Sequence, residues 1–308
     1  MNNTLTSLVA VDWGTSSLRG ARLDSHGQVL EERSFDRGIM TVPAGQFAPV
    51  FEACFADWIS ASGTLCLISG MAGSRQGWIE APYCECPAGF DEVAAKLAWI
   101  TDAPAGWRIA VVPGLSCEHP APPPGAAGGV PDVMRGEEVQ IFGAIQLTGL
   151  RDGLFVLPGT HSKWATVQDG RITGFKTFMT GEFFALLRQH SILSKTVAAD
   201  APLDEAAFAH GVAQAQGGAG LLHHAFSART LSLFGRMDAG PLASYLSGLV
   251  IGEELRAQTL VPGAEVVLIG STALTHRYTL ALATHAVPTR TLGAEATWAG
   301  LAALAAVL

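Results

Sequence analysis

One supersecondary pattern occurs twice in these 308 residues: an apolar strand, a turn of glycine and hydroxyl side chains, and a returning strand. The first copy is LVAVDWGTSSLRGARL from Leu8 to Leu23, and the second is LFVLPGTHSKWATVQ from Leu154 to Gln168. A chain that repeats this unit once in each half is expected to build two mixed α/β domains, and its length suits two at about 150 residues each. The expected division lies between 133 and 134, giving domains 1–133 and 134–308, with the last helix packing back toward the first.

In the first copy Asp12 sits at a strand tip, Gly14 permits a sharp bend, and Thr15, Ser16 and Ser17 offer donors to phosphate oxygens. A carboxylate beside such donors suits Mg²⁺ holding a nucleotide phosphate, although an ordinary hairpin would look the same over so short a stretch. In the second copy Gly159 allows close backbone approach, while Thr160 and Ser162 supply donors. Lys163 either adds a charge to that turn or points into solvent. His161 reads as a hydrogen-bonded turn histidine rather than a general base.

Three other segments carry chemistry. Met134–Gln140, MRGEEVQ, opens a helix with Glu137 and Glu138. Acids in a first helical turn are favoured by the helix dipole, and a carboxylate fixed there is also a suitable general base for a hydroxyl. Gly270 and Ser271 end a buried strand before a helix, as a nucleotide site or a plain capping turn would. Ser69–Trp78 is a glycine-rich loop with Arg75 available for an anion, or else a turn packed by Trp78.

Composition removes several function classes. Apolar residues make up 49% and charged residues only 15%, which excludes disorder, and a net charge of −8 with no basic stripe argues against nucleic-acid binding. The polar MNNTLTS start lacks a signal pattern, and no uncharged run reads as a membrane span, so a cytoplasmic protein is expected. The five cysteines lack paired metal spacing; Cys84 and Cys86 form C-x-C, and free thiols are the simplest expectation.

Periodicity predicts strands over Leu8–Trp13, Ser17–Leu23, Gln28–Phe35, Leu65–Ser69, Ile109–Pro113, Leu154–Leu157, Lys163–Gln168, Ile172–Phe178 and Glu265–Ile269. Helices are expected over Phe47–Ser60, Arg135–Leu147, most of Thr180–Gln258, Leu274–Ala283 and Ala294–Val307. Asp169-Gly170 is a strong hairpin turn, and the proline-rich stretch from Glu118 to Pro131 reads as a surface loop. The apolar helix at Leu242–Leu255 suits a core better than a dimer interface, which leaves a homodimer open.

The order of these blocks resembles the sugar kinases of the actin and hexokinase superfamily, and more narrowly the 2-keto-3-deoxygalactonokinases. AVDWGTSSLRGARLD, SGMAGSRQGWIEAPY, VVPGL, VMRGEEVQIFGA, LPGTHSKWATVQDGRITGFKTFMTGE, YLSGLVIGEE and VLIGSTALTHRY carry the resemblance, with PGTHSKW and MRGEE the specific parts. The resemblance implies two ribonuclease-H-like domains flanking an ATP cleft, and transfer of the ATP γ-phosphoryl to the 6-hydroxyl of 2-dehydro-3-deoxy-galactonate. It places Mg²⁺ on Asp12, phosphates on Gly14, Thr15, Ser16, Gly159, Thr160 and Ser162, and adenosine at Gly270 and Ser271. Glu137 becomes the base with Glu138 close behind, and Arg75 and Arg135 take the substrate carboxylate. Many related kinases carry Asp rather than Glu at the base. Other readings are a kinase for another sugar or sugar acid and a non-catalytic ATP-binding regulator. A dinucleotide-dependent oxidoreductase lacks its G-x-G-x-x-G helix start.

Overall fold

The strand expected at Leu8–Trp13 (β1) is apolar almost throughout because it is a central strand, pairing antiparallel with β2 (Leu18–Leu23) and parallel with β4 (Leu65–Gly70). β3 (Val29–Phe35) lies at the sheet edge and alternates polar residues toward water. The computed structural model describes residues 7–59, 64–104, 106–119, 129–198 and 201–308. Between β3 and β4 runs helix α1 (Phe47–Phe55), which ends in a 3-10 turn at Ala56–Trp58 instead of continuing as expected; Ser60 lies outside the described residues. Phe51 and Phe55 of α1 pack with Trp13 and Trp58 over the sheet.

After β5 (Tyr83–Glu85), α2 (Phe90–Ala94) and β6 (Ala98–Trp99), the sheet is extended by β7 (Arg108–Val111), and its order is β3-β2-β1-β4-β7-β6. Then come β8 (Gly114–His119) and β9 (Val130–Met134), which form a small sheet ordered β5-β8-β9. This corrects the loop expected from Glu118 to Pro131: Glu118 pairs with Pro131 and His119 with Val130, while its proline-rich centre lies outside the described residues. β9 delivers the chain to α3 (Glu137–Thr148), whose start is set by Gly136 at φ +106 and whose end is a left-handed Gly149.

The second half contains β10 (Gly153–Leu157), β11 (Ser162–Gln168), β12 (Arg171–Phe178), α4 (Thr180–His190), α5 (Glu205–Ala215), α6 (Leu221–His224), α7 (Ser227–Leu233) and α8 (Ala239–Arg256). β13 (Val266–Ile269), α9 (Thr272–Ala283), β14 (Thr289–Leu292) and α10 (Glu295–Ala305) complete it. Its sheet is ordered β12-β11-β10-β13-β14, with β10, β13 and β14 parallel. That is the order β3-β2-β1-β4-β7 over again, so the duplicated hairpin reports a duplicated ribonuclease-H-like topology. Asp169 and Gly170 make the expected hairpin turn with φ of 52° and 75°. α8 is buried along Leu242, Tyr245, Leu246, Leu249 and Leu255, a core helix as its composition suggested.

Packing divides the chain into one unit of Met1–Gly153, Ala165–Lys176 and Ala294–Leu308, and another of Leu154–Trp164 and Thr177–Gly293. The line therefore falls elsewhere than 133/134, because α3 packs against α10 within the first unit. Their crossing is backbone on backbone: a Cβ on Gly143 would lie 1.7 Å from the Ala296 carbonyl oxygen, and one on Gly300 would lie 1.9 Å from that of Val139. The second unit crosses α5 and α8 the same way, where a Cβ on Gly211 or Gly248 would fall 2.0 Å from a carbonyl oxygen of the facing helix. Gly143→Ala and Gly248→Ala are each expected to lower stability by about 1–3 kcal/mol, measured by urea unfolding, because neither helix pair can separate without losing its packing.

Candidate functional site

In the first unit the parallel register of β1 and β4 sets Asp12 beside Ser69 and Trp13 beside Gly70. Gly70 has φ +92, and a Cβ there would stand 2.9 Å from the Trp13 carbonyl oxygen and 3.2 Å from Asp12 Oδ1. Gly136 in turn lies so close that its own Cβ would be 3.3 Å from the Gly70 Cα. Two glycines thus seat the start of α3 against the strand tip that carries Asp12. The structure brings together the first turn and the acidic helix start, which are more than a hundred residues apart in sequence.

Asp12 is mostly shielded and pairs with Arg19, its neighbour across the hairpin, at 2.5 Å. The Gly14–Ser16 turn is closed by a Gly14 N–H bond to the Ser17 carbonyl, while Ile39 and Met40 donate to the carbonyls of Gly14 and Thr15. Gly38 makes that approach possible, since a Cβ there would fall 2.2 Å from the Thr15 oxygen. Thr15 and Ser16 keep their side chains exposed.

The two glutamates of α3 have different surroundings. Glu137 is half-buried, and its Oε2 accepts the Arg135 N–H at 2.9 Å. Glu138 is fully buried with both carboxylate oxygens on the Gly136 N–H, and burial, reinforced by the charge of Glu137, pushes its carboxyl up to about 8. Of the pair, Glu137 is the one that retains solvent exposure.

Arg135 and Arg75 also part ways. Arg135 donates from Nη2 to the Ala81 carbonyl at 2.9 Å and stacks 4.5 Å from the centre of the Tyr83 ring. Its Nε and Nη1 are buried without an acceptor, as are the hydroxyls of Ser69 and Ser74. Arg75, by contrast, is 88% exposed and pairs with Glu80 at 3.0 Å. Trp78 packs its loop against Trp13 and Phe51.

In the second unit the turn after β10 leaves Thr160 and His161 exposed and Gly159 partly so. The first turn of α4 closes over it: Glu182 N–H bonds to the Thr160 carbonyl at 3.0 Å, and a Cβ on Gly181 would lie 2.5 Å from the Gly159 oxygen. His161 meets the Glu182 carboxylate at 2.6 Å, a partner supplied from α4 and absent from the neighbouring sequence. Gly270 ends β13 beside Pro158, and Ser271 is the exposed N-cap of α9 with no side-chain capping bond. The second turn and the Gly270–Ser271 turn therefore open at the same end of adjacent parallel strands, the usual position for ligands in α/β sheets.

Two expectations need correction here. The Ser162 hydroxyl does not face a ligand: it is fully buried and donates to Glu254 Oε1 at 2.7 Å. Lys163 is buried too, its Nζ donating to Thr177 Oγ1 at 2.8 Å, which rules out the solvent reading. The sequence reading gave no role to Gly70, Tyr83, Thr180 or Glu254. Among these, only the Glu253-Glu254 pair at the end of an apolar helix carries a visible signal, since acids are rare in such a setting.

The model of the 2-keto-3-deoxy-galactonokinase family matches residues 12–304. The chain belongs to that family. It is 38% identical over 302 residues to a Rhizobium meliloti protein named probable 2-dehydro-3-deoxygalactonokinase, covering 96% of this chain and 95% of the relative. The 2-dehydro-3-deoxygalactonokinase of Escherichia coli is 32% identical over 275 residues, covering 88% and 87%. A crystal structure from Sinorhizobium meliloti with the same assignment superposes with a TM-score of 0.86 at 37% identity, over 97% of this chain and 98% of that one. The chain shares the fold of that crystal structure.

Burial of the Glu138 carboxyl has a thermodynamic consequence. Glu138 holds its proton up to about 8 in the fold but only to about 4.5 when unfolded, so its contribution to stability is complete below about 4.5 and lost as pH rises toward 8. Urea unfolding at a series of pH values should show Glu138→Gln gaining on the wild type across that window; parallel curves would contradict the assignment.

Proposed function

We propose that this chain transfers the γ-phosphoryl group of ATP to the 6-hydroxyl of 2-dehydro-3-deoxy-D-galactonate, in D-galactonate breakdown. The observation that carries this reading is the seating of the start of α3, which bears Glu137, beside the Asp12 strand tip through Gly70 and Gly136, in a chain whose relatives are named for that activity. Phosphoryl transfer asks the protein mainly to position groups and balance charge, which is what such a rigid contact supports.

Asp12 suits Mg²⁺: a shielded carboxylate at a strand tip, beside a glycine that leaves room, is the single protein ligand such an ion needs when phosphates and water supply the rest. Bound there, the ion would neutralise phosphate charge, with Arg19 released from its pairing. Gly14, Thr15 and Ser16 take the transferred phosphate in the first unit. In the second unit Gly159 and Thr160 take the remaining phosphates, and Gly270 and Ser271 flank the adenosine. The 6-hydroxyl oxygen attacks phosphorus as the bond to ADP breaks, and its proton passes to the Glu137 carboxylate. Arg135 receives the substrate carboxylate, because buried donors without an acceptor are costly and an anion would satisfy one of them. Arg75 would have to leave Glu80 to do the same. We place the enzyme in the cytoplasm, where its five thiols stay reduced. Among the described residues no helix is long and apolar enough to cross a membrane.

ADP release coupled to an indicator reaction, with 2-dehydro-3-deoxygalactonate set against its gluconate epimer, tests reaction and specificity together. Faster turnover of the galactonate is expected; equal rates would discard the substrate, and no release with either would discard the reaction. Glu137→Gln should lower kcat by roughly 10²–10⁴-fold with ATP affinity retained. Arg135→Lys should raise KM for the sugar acid about tenfold or more without changing KM for ATP, since lysine cannot keep both the Ala81 contact and a donor to the substrate.

A further inference from the structure

Glu254 is an acid near the end of α8, 3% exposed, and no lysine or arginine pairs with it among the described residues. Its charge is met by four donors instead. Oε1 accepts from Ser162 Oγ at 2.7 Å and from Trp164 Nε1, and Oε2 accepts from Tyr278 Oη at 2.7 Å and from Thr180 Oγ1. Each oxygen thus receives two hydrogen bonds, close to the full capacity of a carboxylate. The adjacent Glu253 is engaged separately by His224 and Arg256.

The four donors are not scattered through the unit. Ser162 and Trp164 begin β11, where the Gly159–Thr160 turn ends. Thr180 is the first residue of α4, whose next two residues clasp that turn from the other side. Tyr278 belongs to α9, the helix that starts at Gly270–Ser271. One carboxylate therefore ties together the elements that carry every nucleotide-binding residue assigned to the second unit. A cavity lined by Gly159, Thr180, Gly181, Ile251, Leu274 and Tyr278 opens against this hub.

We propose that Glu254 is a positioning residue: through Ser162, Thr180 and Tyr278 it holds the second phosphate turn and the adenosine turn in the geometry that accepts a nucleotide. The inference rests on the kinase reading given above and gives Ser162 its role, that of a tether between turn and carboxylate. A purely structural Glu254 would affect unfolding and leave nucleotide affinity alone in the molecules that remain folded. A positioning Glu254 separates the two substrates, because no sugar-acid residue is attached to the hub.

The experiment is calorimetric titration of the full chain with ADP and Mg²⁺, alongside steady-state KM values for ATP and for the sugar acid. In Glu254→Gln the amide has the same shape but cannot accept four hydrogen bonds, and ADP affinity is expected to fall roughly tenfold or more while KM for the sugar acid stays within about twofold. Thr180→Val and Tyr278→Phe each remove one donor and leave the carboxylate in place. Each should weaken ADP by roughly threefold or more, and they decide the matter if Glu254→Gln does not fold. ADP affinity unchanged in folded variants, with normal binding by the wild type, overturns this inference alone. A wild-type chain that binds no ADP overturns the kinase reading and this inference with it.

Discussion

Backbone must touch backbone at the tip of β4, and much of the candidate site follows from that requirement. Gly70 cannot carry a side chain without colliding with the end of β1, and Gly136 cannot without crowding Gly70. With both bare, α3 begins beside the strand tip that carries Asp12. The positive φ at each position adds a second reason for glycine, so these two residues are fixed both by space and by backbone conformation. Two residues with no chemistry of their own thus set the start of α3 beside Asp12.

The protein keeps two buried glutamates and settles them in different ways. Glu138 is met by backbone N–H groups at the start of its own helix, a poor exchange for lost hydration, so it keeps its proton into the neutral range. Glu254 collects four donors from three elements, and although burial still raises its carboxyl, the donors oppose the shift. The first arrangement limits the charge of the Glu137–Glu138 pair to about one. The second converts the cost of burying an acid into a fixed geometry for the chain around it.

Much of this was legible in the sequence, and the failures have particular causes. The central strands announced themselves by apolar runs, and the repeated hairpin signalled the repeated topology. The small sheet of β5, β8 and β9 stayed hidden because β5 is only three residues long and β9 begins next to a proline. β14, with a threonine-and-arginine face, has no hydrophobic period to detect. Ser162 looked like a phosphate donor because a hydroxyl in a glycine turn is ambiguous. Only its distance from Glu254, 92 positions further along the chain, reveals which way it faces. Arg75 and Arg135 could not be ranked from composition, since whether a guanidinium faces water or a neighbouring ring is a tertiary fact.

The discontinuity of the first unit bears on the order in which the molecule is made. α10 occupies Glu295–Ala305, yet it packs against α3 at Glu137–Thr148, with Gly143 and Gly300 at the crossing. On a ribosome, the part of the chain that emerges first waits with one face of α3 uncovered until residues near 300 appear. The second unit, Leu154–Trp164 and Thr177–Gly293, is by then already synthesised. The unit that holds α3 therefore cannot complete its packing until α10 has been made.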